Sequence, residues 1–300
     1  MPDKTTPERG GGGRVVVVGS LNADLVVRTR RFPRPGETLR GEDLVVLPGG
    51  KSANQAVAAG RLGGDVALVG AVGDDGNGAL LRSSVAAAGV DVSGVATRPD
   101  VPTGTAVITV DDAGENTIVI SAGANGTLAP ADLPADVLAG AAVLCLCLEV
   151  STEVVLAAAR AARAAGAVVV TNLSPYGPVP DELLALTDVL LVNEHEAAQL
   201  GGHGVRRSIV TRGSAGCVVH DGDAEPVHVA AVPVEAVDTT GCGDAFTGAT
   251  ALRLAAGDTL ADAARYAVGV GAFAATRPGA QSSYPTPEEL AAFLERAAAR

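Results

Sequence analysis

The chain is poor in the residues that stack on rings. Its 300 residues include no Trp, three Tyr and four Phe, so binding of bases or sugars by aromatic stacking is not expected. Positive charge is also scarce, since 22 Lys and Arg stand against 34 Asp and Glu and the net charge is -12. A surface that binds duplexes needs clustered cations to displace counterions. The composition therefore argues against nucleic acid as a partner.

Long apolar runs are lacking too. The longest, around 141–148 and 267–275, are shorter than the roughly 18–20 residues that span a bilayer, so no membrane role is expected. Residues 1–13 (MPDKTTPERGGGG) carry charge, proline and a glycine run but no apolar core of a secretory signal. We predict a disordered tail there and a cytoplasmic protein. The four cysteines show no C-x-x-C spacing and are interpreted as reduced thiols.

The apolar content, 47% of the residues, is sufficient for a large core. Residues 14–19 (RVVVVG) form a β-branched run ended by glycine, which is typical of a strand buried on both faces of a parallel sheet. Strand 142–148, helix 152–165 and strand 167–171 follow one another as a βαβ unit. The repeated alternation predicts an α/β fold over 14–300: a single domain with a doubly wound, mainly parallel sheet and helices on both faces.

Two segments break this rhythm. Residues 37–47, and 105–110 with 117–121 around the turn-forming 111–114, alternate like antiparallel strands. They predict a small β-sheet lid, with strands from about 37–47 and 105–121, that projects from the main domain. Such a lid can keep water away from a bound substrate. Because exposed sheet edges and an apolar lid face are commonly buried by a symmetric copy, a homodimer is expected.

Residues 238–244 (DTTGCGD) follow a β-type segment and open a predicted helix. Small residues at this place expose backbone N–H groups at the positive end of the helix dipole, which suits an anion. Asp244, set within such a site, could accept the proton of a hydroxyl that attacks a bound phosphate. Taken alone, so short a motif is also explained by a glycine-rich turn with Asp244 as the helix N-cap.

Two other nucleotide motifs are excluded. The segment 48–55 (PGGKSANQ) contains Gly-Lys-Ser, but a P-loop needs a glycine five positions before Gly50, and that position holds Val45. No G-x-G-x-x-G follows the first strand, so a dinucleotide-binding loop is not expected there.

Several separated motifs, in order from about residue 15 to the C-terminus, resemble the ribokinase-like (PfkB) family of carbohydrate kinases. Residues 238–244 are similar to the C-terminal signature of the family, and 19–24 (GSLNAD) to the exit of its first strand. The 48–55 segment resembles the stretch that wraps the sugar, with Ser52 in place of a third glycine.

The resemblance implies ATP-dependent phosphorylation of a sugar hydroxyl, with conversion of D-ribose to D-ribose 5-phosphate as the expected reaction. Asp244 would be the base, and the amides of Gly241, Cys242 and Gly243 the oxyanion site. The residues expected at the sugar are Asn22, Asp24, Gly50, Lys51, Asn54, Glu149 and Asp244. Turn and helix caps explain some of these residues equally well. Deoxyribose, fructose or a nucleoside as acceptor stays open, and so does a silent sugar sensor or an assembly protein on the same fold.

Residues 193–196 (NEHE) and 211–216 (TRGSAG) resemble the nucleotide-side motifs of the family. The implied ATP residues are Asn193, Thr211, Gly213, Gly216 and Gly243. Glu196 would organise Mg²⁺ through water. Without the resemblance, these segments would be a solvated helical turn and a tight turn.

Residues 274–283 (AATRPGAQSS) resemble the segment that encloses a monovalent cation in the family, so activation by K⁺ is implied. The cation residues would be Asp238, Thr240, Ala274, Arg277, Gly279 and Ser283. Helix termination by Pro278 and Gly279 explains the same segment without an ion.

Three positions carry further expectations. The eight residues between Leu200 and Ile209 replace a helix that relatives usually carry, so one outer layer of the nucleotide side should be trimmed. Cys242 stands where alanine is usual, and because a helix N-terminus favours thiolates we expect a reactive thiol. Asn125-Gly-Thr127 matches a glycosylation acceptor, but without a secretory signal it is interpreted as a turn.

Overall fold

The computed structural model describes residues 12–202 and 204–299. The tail predicted over 1–13 therefore lies outside the described residues as far as residue 11. Within this part of the chain, no helix is long and apolar enough to cross a bilayer.

Strands come from the β-branched runs of the sequence. In chain order they are β1 (Arg14–Val18), β2 (Asn22–Arg28), β3 (Val45–Gly49), β4 (Val66–Gly73), β5 (Val95–Arg98), β6 (Thr105–Val110), β7 (Asn116–Ser121), β8 (Ala141–Leu146), β9 (Val168–Asn172), β10 (Val189–Asn193), β11 (Arg207–Thr211), β12 (Cys217–Asp221) and β13 (Val227–Val229).

Helices fill the segments between them. They are α1 (Lys51–Arg61), α2 (Gly76–Ala87), α3 (Ala135–Ala139), α4 (Thr152–Ala164), α5 (Asp181–Leu186), α6 (Glu194–Leu200), α7 (Cys242–Ala255), α8 (Leu260–Ala275) and α9 (Pro287–Ala298). Short 3-10 turns lie at Gly123–Thr127, Pro130–Asp132, Gly213–Ala215 and Gln281–Ser283.

One nine-stranded sheet, in the order β13-β12-β11-β10-β9-β8-β1-β4-β5, organises the molecule. Neighbours from β5 to β11 are parallel, and only β12 and β13 are antiparallel to their neighbours. Helices α1, α2, α7 and α8 cover one face with an apolar core, while α3, α4 and α5 cover the other. The central strands, β1 and β4 among them, are buried on both faces, which explains their continuous apolar runs. The predicted doubly wound α/β fold is confirmed.

A separate four-stranded sheet has the order β3-β2-β6-β7. The expected hairpin over 105–121 is present as β6 and β7, but the strand predicted over 37–47 is confined to β3, at 45–49. The preceding residues loop back on themselves, because Glu37 pairs with Arg31 and its N–H donates to the carbonyl of Arg34. The central strand β2 was not predicted, since its sequence was interpreted as the exit of β1.

The parallel strands bring their carboxyl ends to one edge of the large sheet. The chain order reverses at β1, because β4 pairs on one side of it and β8 on the other. Ligands of doubly wound sheets bind in the crevice at such a point. Only three residues, Gly19 to Leu21, separate β1 from β2 of the small sheet. The small sheet therefore rises directly beside this crevice.

Candidate active site

The loop before α7 builds an anion site. Gly241, the N-cap, has φ 71°, and a Cβ there would lie 2.5 Å from the hydroxyl of Tyr284, so this position requires glycine. Gly243 is exposed, and a Cβ there would meet nothing within 4 Å. The backbone N–H groups of Gly243 and Asp244 find no acceptor among the described residues. They point out of the positive end of a 14-residue helix and can bind an oxyanion.

Asp244 lies in the first turn of that helix and is 7% exposed. The side-chain amide of Asn54 donates to its Oδ2 at 2.9 Å, and that of Gln55 approaches Oδ1 at 3.5 Å. Burial raises the pKa of Asp244, while the charge of Lys51 and the amide of Asn54 offset part of this rise. The result is a carboxylate with a raised pKa, held in a fixed orientation.

Lys51, at the start of α1, provides the positive charge of the site. Burial lowers the pKa of its ammonium, but the charges of Asp244 and Glu149 outweigh burial and raise the pKa overall. Lys51 is therefore charged at neutral pH and faces the proposed base.

Polar side chains from three elements meet beside Asp244. Glu149, after β8, accepts hydrogen bonds from the Ser20 hydroxyl and, at 3.0 Å, from the N–H of Lys51. Asp24, on β2, carries a pKa raised to about 7 by burial and by the charges of Glu149 and Asp244. Asn22 begins the same strand and is buried. This cluster presents carboxyl and amide groups suited to the hydroxyls of a sugar.

Gly50 fixes how closely these elements approach. Its φ is 91°, and a Cβ there would lie 2.7 Å from the backbone nitrogen of Asn22. Any side chain would push α1 away from β2. Close packing against β2 is therefore enough to explain why residue 50 is glycine, and no direct contact with the substrate is needed.

A pocket of about 150 Å³ opens on the other side of Asp244. It is lined by Lys51, Asn172, Ser174, Leu191, Val192, Asn193, Glu196, Thr211, Gly241, Gly243, Asp244 and Thr247. Of the residues expected at ATP, Asn193, Thr211 and Gly243 are among them. Gly213 and Gly216 are not, since Gly213 lies exposed in a turn and Gly216 packs against β13. Asp244 thus stands between a polar cluster and a pocket with an anion site.

The pattern of the pfkB family carbohydrate kinases matches residues 13–287. The chain belongs to this family. It is 35% identical over 303 residues to the ribokinase of Haemophilus influenzae, covering 94% of this chain and 99% of that protein. It is 36% identical over 305 residues to the ribokinase of Schizosaccharomyces pombe, covering 92% and 96%. The structure of Arabidopsis thaliana ribokinase complexed with ribose and ATP is similar with a TM-score of 0.89 at 30% identity, over 95% of this chain and 99% of that one. The predicted family and enzyme class, a carbohydrate kinase, are confirmed.

Sequence reasoning missed one buried residue of this kinase. Asn125 was interpreted only as part of a turn, and it does lie in the 3-10 turn Gly123–Thr127, yet it is 2% exposed. Its Oδ1 accepts from the N–H of Leu21 at 3.0 Å, and its Nδ2 donates to Oδ1 of Asn22 at 2.8 Å. Asn125 therefore orients Asn22, whose own amide N–H groups face away from this bond. No local pattern signals a contact between residues 103 positions apart.

Glu196 fits a role at a divalent cation. Its carboxyl forms a capping box with Asn193, in which Oε2 accepts from the N–H of Asn193 at 2.8 Å. This bond fixes the side chain at the wall of the pocket. A buried carboxylate beside the anion site is the kind of ligand that Mg²⁺ takes, directly or through water.

Asp238 joins the two segments expected around K⁺. Its Oδ1 accepts from the N–H of Thr240 and its Oδ2 from that of Gly279, both at 2.8 Å. Burial raises the pKa of Asp238, but these hydrogen bonds outweigh burial and lower the pKa overall. The carbonyls of Thr240, Arg277 and Gly279 have no donor among the described residues, which suits a monovalent cation.

The other expected cation residues are engaged elsewhere. The carbonyl of Ala274 accepts from the N–H of Arg277 at 3.1 Å, and the hydroxyl of Ser283 donates to the carbonyl of Ala280 at 2.7 Å. The guanidinium of Arg277 points away, toward Glu289 and the ring of Phe273.

The expectation of a reactive thiol at Cys242 is wrong. Burial, together with the nearby charges of Asp238 and Asp244, raises the pKa of this thiol to about 11. These effects outweigh the helix dipole, which favours a thiolate at this position. Cys242 is a neutral thiol at pH 7.

Proposed function

We propose that this kinase transfers the γ-phosphoryl group of ATP to D-ribose, giving D-ribose 5-phosphate and ADP. The observation that carries the proposal is the position of Asp244, with the polar cluster of Asn22, Asp24 and Glu149 on one side and the N–H groups of Gly243 and Asp244 on the other. Relatives described as ribokinases, and the similar structure complexed with ribose and ATP, support this substrate pair.

Transfer proceeds by in-line displacement. The 5-hydroxyl oxygen of the sugar forms a bond to the γ-phosphorus, and the bond from that phosphorus to the bridging oxygen breaks. ADP leaves with the electron pair, and the hydroxyl proton passes to Asp244. The N–H groups of Gly243 and Asp244, together with Lys51, stabilise the negative charge on the transferred group.

The raised pKa of Asp244 suits this task. The transition state of phosphoryl transfer is loose and asks for little basicity, so position matters more than strength. Lys51 and the amide of Asn54 favour the ionised form that accepts the proton. A buried, oriented carboxylate meets both needs.

We propose that the small sheet closes over the sugar and also forms the contact of a homodimer. Its apolar side chains are unusually exposed, with Val119 at 69% and its cross-strand neighbour Val107 at 48%. A contiguous apolar face of this kind is commonly buried by a partner. The occupant we propose is a second copy, because β3 and β7 are the two edges of this sheet and exposed edges are commonly buried by a symmetric partner. A cytoplasmic location stays a prediction.

Magnesium and potassium are proposed on the residues that fit them. Bound Mg²⁺ would neutralise phosphate charge, and Glu196 would hold it through water. For K⁺, Asp238 and the carbonyls of Thr240, Arg277 and Gly279 would be the ligands. The hydrogen bonds of Asp238 tie the loop of the anion site to the 277–279 segment, so an ion there would affect the order of that loop.

The test is release of ADP from ATP and Mg²⁺, with and without K⁺, over ribose, 2-deoxyribose, fructose, adenosine and pseudouridine. We expect turnover to be highest with ribose and to vanish in Asp244→Ala. Preference for another acceptor would keep the mechanism and refute the substrate. Sugar binding without any turnover would refute the kinase activity and favour a sensor.

A further inference from the structure

A chain of side-chain hydrogen bonds connects Asp244 to three residues, Asn54, Gln281 and Ser84, that do not line the pocket of about 150 Å³. Asn54 donates to Asp244, and the Oδ1 of Asn54 accepts from Nε2 of Gln281 at 3.1 Å. The Oε1 of Gln281 accepts in turn from the hydroxyl of Ser84 at 2.8 Å. Asn54 and Gln281 are 6% and 5% exposed. Four residues from α1, α2, α7 and the 281–283 turn are thus connected in series.

The direction of every bond in this chain follows from one group. An ionised carboxylate only accepts, so the amide nitrogen of Asn54 must face Asp244 and its oxygen must face Gln281. Gln281 must then present its nitrogen to Asn54 and its oxygen to Ser84, whose hydroxyl donates. Reversal of either amide would place two acceptors or two donors against each other at Asn54.

We propose that Gln281 is a positioning residue for the base: by donating to Oδ1 of Asn54 it holds the Asn54 amide in place against Asp244. This inference rests on the proposed function, in which Asp244 accepts the proton of the sugar hydroxyl. Neither the expected site residues nor the lining of the substrate pocket includes Gln281.

The alternative support for Asp244 is weaker. Gln55 lies 3.5 Å from Asp244 and shares the same nitrogen with Asn172 at 3.4 Å. Both distances are near the limit of a hydrogen bond. The bond from Asn54, at 2.9 Å, therefore sets the orientation of the carboxyl.

Close packing leaves Asn54 little freedom to respond in another way. Helices α1 and α7 are in direct contact, since a Cβ on Gly248 would collide with the carbonyl of Gln55. Without the Gln281 donor, Oδ1 of Asn54 is left buried without this partner and the amide can rotate in place. Such rotation would lengthen or bend the bond from Nδ2 of Asn54 to the Asp244 carboxylate.

The ionisable groups around Asp244 are the same in Gln281→Met and in its control, Ser282→Ala. They are Asp24, Lys51, Cys145, Glu149, Cys242 and Tyr284. None of them contacts Gln281 through a hydrogen bond among the described residues. A change in pH dependence on altering Gln281 would therefore report the chain through Asn54.

The first experiment compares Gln281→Met, which keeps side-chain length without the donor, with Ser282→Ala as the matched control. Ser282 is exposed in the same turn and donates only to the carbonyl of Pro278. We expect kcat of Gln281→Met to fall roughly 10- to 100-fold, as for a misplaced reacting group, with little change in KM for ribose or ATP.

The acid limb of the pH profile separates positioning from a merely structural role. Asp244 works ionised, so activity is lost as pH falls through its pKa. Loss of the donor weakens the Asn54 bond that lowers this pKa, so the acid limb of kcat/KM should move to higher pH in Gln281→Met and stay in place in Ser282→Ala. A kcat within about threefold of wild type, or an unmoved acid limb, would overturn the proposal.

A second experiment does not depend on turnover. Gln281→Glu places an acceptor against the oxygen of Asn54 and should lower the Tm of the ligand-free protein. In an Asp244→Asn background the neutral amide lets Asn54 reverse, so the same substitution should lower Tm by less than half as much. Equal losses in the two backgrounds would refute the chain, whereas absence of turnover in the wild type would refute only the proposed function.

Discussion

Two glycines of the anion site, Gly241 and Gly243, should fail for different reasons when each is changed to alanine. At Gly241, a left-handed backbone costs alanine roughly 1–2 kcal/mol, and φ there is 71°. The new methyl would also press on the hydroxyl of Tyr284, which donates to the carbonyl of Gly241 at 3.1 Å. Overpacking of this kind adds about 1–3 kcal/mol.

Gly241→Ala should therefore lose stability. For a chain of this size each kcal/mol lowers Tm by roughly 2–4 °C, so we expect a fall of about 5–15 °C. Gly243→Ala should not lose stability, because its Cβ meets no atom within 4 Å and alanine is favoured over glycine in a helix by about 1 kcal/mol.

Activity should show the reverse contrast. The methyl of Gly243→Ala enters the space in front of the N–H groups that would bind the transferred phosphoryl, and loss of such a donor costs about 10²–10³ in kcat. Thermal unfolding and ADP release on both variants provide the assay. A Gly243→Ala enzyme that is fully active, or that unfolds as early as Gly241→Ala, would refute the proposed anion site.

Three further outcomes are expected. Asp24→Asn should stabilise the sugar-free protein at pH 8 but not at pH 4. The pKa of the folded carboxyl is raised to about 7, and each pKa unit of this rise costs the folded state about 1.4 kcal/mol once the carboxyl is ionised. Equal free energies of unfolding for the variant and the wild type at pH 8 would contradict this. Cys242 should react with iodoacetamide at pH 8 about 100-fold more slowly than a free thiol, and mass spectrometry of the alkylated protein measures this rate. Val119→Glu, on the small sheet, should be a monomer in analytical ultracentrifugation. Leu80→Glu, which changes an exposed apolar residue on α2, should remain a dimer.

Prediction from sequence worked where a local pattern has one structural solution. The run 14–19 could only be a doubly buried strand, and β1 is that strand. The βαβ unit over 142–171 was predicted from the spacing of apolar residues along the chain, and it is present as β8, α4 and β9. Such segments carry their own burial pattern, so no knowledge of distant contacts is needed.

The lid was harder to predict. Residues 37–44 were predicted as part of a strand, yet this segment forms no strand, because pairing depends on a neighbour of matching length and direction. Strand β2 pairs with β3 on one edge and with β6, 82 residues away in register, on the other. A single sequence does not reveal such partners.

The site was predicted only where residues share a motif. The segments 19–24, 48–55 and 238–244 were expected to converge, and they do at the edge of the sheet. Asn125 and Gln281 act through side-chain contacts over long sequence separations, 103 and 227 positions. The thiol of Cys242 was misjudged because the helix N-terminus is visible in sequence, whereas the burial of the thiol, the largest cause of its raised pKa, is not.

The most direct test of the account is turnover of D-ribose and ATP by Asp244→Asn, with ³¹P NMR to identify the product and calorimetry to measure ribose binding. Asp223→Asn, at an exposed carboxyl far from the site, is the matched control. We predict D-ribose 5-phosphate from the wild type and the control, a loss of kcat of about 10²–10⁴ in Asp244→Asn, and ribose affinity within about threefold of wild type. An Asp244→Asn enzyme with kcat within about tenfold of wild type would contradict the central claim that Asp244 is the base.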